Sequence, residues 1–113
     1  MQAVLAAAEG PLTGTFLMEV KATGRQDQQL YLNSETDYRD QRCLTISIPQ
    51  DVADEFRAKL AGDPATLLKG RKIRVSGTAE RVRIWFFAGG VKTDKYYFQT
   101  HVKIAAASQI TLL

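Results

Sequence analysis

Cysteine occurs once in this 113-residue chain, at position 43, histidine once, at position 101, and proline three times. One thiol can close no internal disulfide and build no cysteine metal site, so Cys43 reads as a small buried or half-buried residue. His101 has no second histidine and no nearby cysteine with which to share a metal or a catalytic triad. A solvated or hydrogen-bonded strand histidine is the reading that remains. No apolar run reaches the ~18 residues that a membrane-spanning helix requires. Glycine loops of the phosphate-cradling kind are missing, and Ser34, Ser47, Ser76 and Ser108 lack the glycines of a nucleophile elbow. Together these absences argue against an enzyme and against a bound cofactor or metal.

Length and composition fit one domain with one core, residues 1–113, the first twelve being an extension. The opening MQAVLAAAEG has no basic leading segment. It reads either as a short helix over residues 1–9, ended by Gly10-Pro11, or as the trimmed tail of a signal peptide. The compartment, cytoplasmic or exported, stays open.

Positive charge is unevenly placed. Residues 1–70 hold seven Lys and Arg against ten Asp and Glu, whereas residues 71–113 hold eight against two. That asymmetry points to an anionic partner, although a solvated strand face also needs polar residues.

The positive half is dominated by GRKIRVSGTAERVRIWFFAGGVKTDKYYFQTHVKI, residues 70–104, two alternating runs about a Gly89-Gly90 turn. This is the pattern of a long β-hairpin. Ile73, Val75, Val82, Ile84 and Phe86 form one set in the first run; Lys72, Arg74, Arg81, Arg83 and Trp85 form the other. In the second run Tyr96, Phe98, Val102 and Ile104 alternate with Tyr97, Gln99, His101 and Lys103. Alternate side chains point to opposite faces, so one face is expected to be apolar and the other basic with interleaved aromatics. The apolar positions shift from odd to even across Gly77, as a β-bulge there would require. On this register Val75 and Ile84 are buried and Arg74 and Arg83 face solvent.

Upstream, alternation predicts a strand over Gly14–Ala22, a turn over residues 23–29, a strand over Leu30–Leu32 and another over Cys43–Ile48. Between the last two lies the polar loop NSETDYRDQR, residues 33–42. Asp51 is placed to cap a helix over residues 51–61, with Val52, Phe56 and Leu60 on one face. Gln109–Leu113 can add a short final strand. Three strands, a helix and two long strands predict an all-β fold with one helix: a five-stranded OB-like barrel with the helix between strands three and four. The competing arrangement is an open antiparallel sheet carrying one helix.

The segments YLNSETDYRDQRCLTISIP, LKGRKIRVSGTAERVRI and VKIAAASQITLL resemble a group of small bacterial OB-fold proteins, many of them exported and uncharacterised. In that group an LNS-x-x-DYR-like segment follows the second strand, a KGK-x-IRV-x-G strand follows the helix, and a DPSQI-like ending closes the chain. Here the ending is Ala107-Ser108-Gln109-Ile110, without the Asp-Pro. The resemblance covers about residues 13–113 and implies the fold; for function it implies binding by analogy alone.

Two candidate surfaces remain. Glu35, Asp37 and Asp40 offer carboxylates, but their spacing is not that of an EF-hand and Arg39 lies between two of them. An acidic loop held by Arg39 and Arg42 is the simpler reading. The other surface is the basic-aromatic ribbon. Tyr31 on strand two, Arg39 and Arg42 beside strand three, and Arg81, Arg83, Trp85, Lys92, Lys95 and Tyr97 from the hairpin supply stacking rings and phosphate-binding cations. A non-catalytic module binding single-stranded nucleic acid is expected on this basis. The alternative is a protein-interaction or envelope-associated scaffold, including a homodimer, because Trp85-Phe86-Phe87 puts apolar residues on both faces of one strand end.

Overall fold

The computed structural model describes residues 10–37, 39–40 and 42–113; the helix or leader read over residues 1–9 lies outside them. The described chain is mostly β-sheet with one main helix. Its elements are β1 (Leu12–Glu19), β2 (Ala22–Gln26), β3 (Gln29–Asn33), β4 (Leu44–Pro49), α1 (Gln50–Leu60), the short α2 (Pro64–Leu67), β5 (Lys72–Ala88), β6 (Val91–Lys103), a 3-10 turn (Ala107–Gln109) and β7 (Ile110–Leu112). The seven strands form one sheet in the order β1-β5-β6-β4-β3-β2, with β7 also on β5. All pairs are antiparallel except β4 with β6.

The expected five-stranded closed barrel is therefore corrected in two respects: there are seven strands, and the sheet is not closed as a barrel. The first expected strand, Gly14–Ala22, ends early at Glu19, and β2 forms in the stretch expected as a turn. β1 runs along β5, from Leu12 opposite Ala79 to Glu19 opposite Lys72, and β2 runs along β3. At the break, Val20 is buried and its backbone bonds Arg71 and Gly70, while the Lys21 N–H bonds the Asn33 carbonyl. The two ends of the sheet are thus consecutive in the chain without being paired to each other. β2 was hidden in the sequence because Thr23, Gly24 and Arg25 show no apolar alternation. It is a strand through its ladder to β3, and a two-residue turn at Asp27 and Gln28, both at positive φ (53° and 62°), joins the pair.

The helix lies where the strand-helix-strand order put it, one residue earlier than expected. Pro49 occupies the N-cap position and no side chain caps the helix, so Asp51 acts as first-turn negative charge instead of as the cap. Val52, Ala53 and Phe56 face the core, joining Leu30, Leu32, Ile46, Ile48, Ile73, Val75 and Val102. The turn before β7 is tied by one amide side chain, in addition to the ladder of β7 on β5. Gln109 Oε1 accepts from the Ala105 and Ala106 N–H groups, and its Nε2 donates to the Ser76 carbonyl, 2.9 Å away. The Ser-Gln-Ile ending is in this way a fastening of β7 onto β5.

Gly77 does not mark a bulge. β1 and β5 stay in register through it, and Ile73, Val75 and Ala79 are all fully buried on one face. A β-carbon at Gly77 would meet Val102 Cγ1 at 2.9 Å, so the glycine serves close packing. The one register shift between β5 and β6 lies between Trp85 and Phe87.

Candidate functional site

Register without a bulge at Gly77 decides which side chains meet. From the fully buried Ala79, opposite Val102, the same face continues as Arg81 opposite Thr100, Arg83 opposite Phe98 and Trp85 opposite Tyr96. The other face carries Glu80 opposite His101, Val82 opposite Gln99 and Ile84 opposite Tyr97. Ile84 is accordingly half-buried on the face opposite Val75, not in the core. Val75 is buried and Arg74 and Arg83 are exposed, as the alternation predicts.

The second of these faces forms the wall of a cleft of about 550 Å³ lined by Gly24, Arg25, Gln26, Tyr31, Asn33, Thr45, Ile84, Tyr97, Gln99 and His101. Its floor is β3 and β4; strand β2 stands on one side and the β5–β6 hairpin on the other. The polar floor is paired within itself. Thr45 Oγ1 donates to Asn33 Oδ1 at 2.8 Å, and Ser47 Oγ donates to Gln29 Oε1 at 2.9 Å. Along β6, Gln99 Nε2 donates to the Tyr97 hydroxyl at 3.0 Å and Gln99 Oε1 meets His101 Nε2 at 2.6 Å. The His101 and Tyr31 rings are tilted, 6.4 Å apart. Burial holds the imidazole below its ordinary pKa, and Lys103 adds to that, which favours the neutral ring. Its hydrogen-bond partner is an amide, which neither gives nor takes a proton. Past His101 a smaller hollow of about 240 Å³ continues toward Glu80, Lys103 and Gln109.

The opposite face beyond the core is a stack of cations on rings. The Arg81 guanidinium lies 3.9 Å from the centre of the Phe98 ring, and that of Arg83 lies 4.6 Å from Tyr96 and 5.5 Å from Trp85. Lys92 Nζ sits 4.1 Å from the Trp85 ring. Trp85, Tyr96 and Phe98 pack edge to face in sequence along the same surface.

The nine expected binding residues thus do not form one surface. Tyr31 and Tyr97 line the cleft. Arg81, Arg83, Trp85 and Lys92 occupy the other side of the hairpin, and Lys95 is exposed toward its end. Arg39 and Arg42 belong to the acidic loop. Arg39 pairs with Asp37, and Arg42 Nη2 lies 2.8 Å from Asp40 Oδ2. Hydrogen bonds from the Arg42 side chain lower the Asp40 pKa to about 2. Among the described residues no group of three His, Cys, Asp or Glu side chains is arranged to hold a metal ion. Sequence reading missed Asn33, Thr45, Gln99, His101 and Arg25 as lining residues. The alternation Tyr97-Gln99-His101 did carry a signal for one face, but Arg25 fell in an expected turn. No family model, curated protein or solved structure matches the chain.

Proposed function

We propose that the protein is a non-catalytic, OB-like binding module that takes single-stranded nucleic acid in the cleft between its two hairpins. The observation that carries this reading is the cleft's position. It lies over the β3–β4 face, between strand β2 and the β5–β6 hairpin, on the strands that correspond to the second and third of an OB fold, over which such folds place oligonucleotides. The parallel β4–β6 pair, and end strands β1 and β2 that follow each other in the chain, support the same relation. Tyr31, Tyr97 and His101 offer ring faces and edges to bases, and the paired amides of Asn33 and Gln99 offer hydrogen-bonding edges. Arg25, whose guanidinium is paired with Asp63, stands on one wall and Lys103 lies beyond His101, and the two cations flank a path for phosphates.

Titration of a labelled oligothymidylate at two salt concentrations tests the proposal. Tyr31→Ala and Tyr97→Ala should each cost about 1–3 kcal/mol of affinity and leave the salt slope unchanged. Arg81→Ala with Arg83→Ala should leave cleft binding nearly intact; a uniform loss with a flatter salt slope would move the strand to the far face. Micromolar protein that never binds the oligonucleotide at low salt overturns the reading. The interaction or envelope-associated reading is favoured by a separate observation, the exposed apolar hairpin end.

A further inference from the structure

We propose that the end of the β5–β6 hairpin is a docking element for an anionic lipid surface, into which Phe86, Phe87 and Val91 insert. From Arg81 to Ala88 the hairpin projects beyond the fully buried part of the core by roughly 23 Å, at ~3.3 Å per residue. At its end Phe87 and Val91 are 65% and 69% exposed, and Phe86 is 44% exposed. These side chains do not share a face. Phe86 packs on Tyr97, on the cleft side, while Phe87 lies opposite Lys92, whose ammonium covers Trp85 on the other side. A flat partner seated on one face of the ribbon would leave the other apolar face in water. A medium that surrounds the tip covers both.

The backbone is suited to such a medium, where an unpaired polar group is costly. Ala88 and Val91 pair across the Gly89-Gly90 turn, whose residues adopt φ of 58° and 81°. Phe86, which the register shift leaves without a ladder partner, has its carbonyl bonded by the Thr93 hydroxyl at 2.8 Å, and that hydroxyl oxygen accepts from the Lys95 N–H. Behind the apolar tip comes a belt of Trp85 and Tyr96 with Arg81, Arg83, Lys92 and Lys95, against which Asp94 is the sole carboxylate in residues 81–98. Amphipathic rings and long cationic side chains at that depth match a headgroup layer of negative charge. No described helix is long and apolar enough to cross a membrane.

The test is flotation of the full chain with vesicles of phosphatidylcholine alone or mixed with phosphatidylglycerol. The protein should float with the anionic vesicles, less at high salt, and the emission of Trp85, the chain's one tryptophan, should shift to shorter wavelength. Phe87→Ser with Val91→Ser, both at exposed positions, should keep the melting temperature and oligonucleotide affinity while reducing vesicle partitioning at least about tenfold. No flotation with anionic vesicles overturns the proposal, as does flotation that this double variant leaves unchanged. A wild-type dimer that the double variant dissociates would give the tip to a second copy, and loss of oligonucleotide binding would give it to nucleic acid. Either result overturns the lipid reading.

Discussion

The two ends of one hairpin obey the same alternation and meet opposite fates. At the base, Ile73, Val75, Ala79 and Val102 are fully removed from water on a single face. Beyond Glu80 that same face carries Arg81, Arg83 and Trp85, and its rings are covered by guanidinium and ammonium groups instead of by aliphatic side chains. Among the described residues no helix or second sheet lies over the projecting half, so each ring there is shielded by its own neighbours or left exposed. Side-chain period therefore tells which residues share a face, whereas the reach of the core decides what that face becomes.

The base should be the sensitive end. Val75→Asp puts a charge into the core with no partner, which costs several kcal/mol and should abolish the cooperative melt. Phe87→Asp, the matched change at the exposed tip, should shift stability by less than about 0.5 kcal/mol in urea titration. Equal losses from the two would erase the distinction between base and tip.

Gly77 sits at the boundary. Gly77→Val should cost about 1–3 kcal/mol, because the new side chain meets Val102 before any neighbour has moved. A bulge at Gly77 would instead tolerate the change, so the urea midpoint of this variant sharpens the register. On the projecting half, Arg81→Ala and Arg83→Ala should each cost only about 0.5–1 kcal/mol, the worth of an exposed cation–ring contact. Trp85 fluorescence should reveal looser packing in Arg83→Ala even where the melt scarcely moves.

The smallest effect is on pH dependence at the cleft. Burial lowers the His101 pKa from 6.5, so the unfolded chain binds a proton that the folded chain refuses. Stability should therefore fall as the pH drops below about 6.5 toward the folded value, and be unaffected above it. Glu80 and Lys103 flank the ring and Lys103 strengthens the effect. His101→Gln should remove this slope, measured as urea midpoints across that range.

Much of the β-rich fold was legible in the residues. The hairpin, its Gly89-Gly90 turn, the helix after Pro49 and the loop held by its own arginines all follow from local pattern and turn chemistry. β2 was not legible, since a polar strand owes its form to a hydrogen-bonded neighbour distant in sequence. Nor was the meaning of the odd-to-even switch after Gly77. A bulge and a change of which face is buried leave the same trace in a one-dimensional pattern.

By itself the sequence determined which side chains alternate, where the turns and helix fall and which half carries the positive charge, because these depend on neighbours a few residues away. Only the tertiary structure decided that Ile84 faces a cleft, that Arg81 and Arg83 stand on the side opposite Tyr31 and Tyr97, and that β1 and β2 are separate ends of one sheet. Those facts depend on where the core stops and on pairing between strands far apart in the chain, and neither is encoded in local spacing.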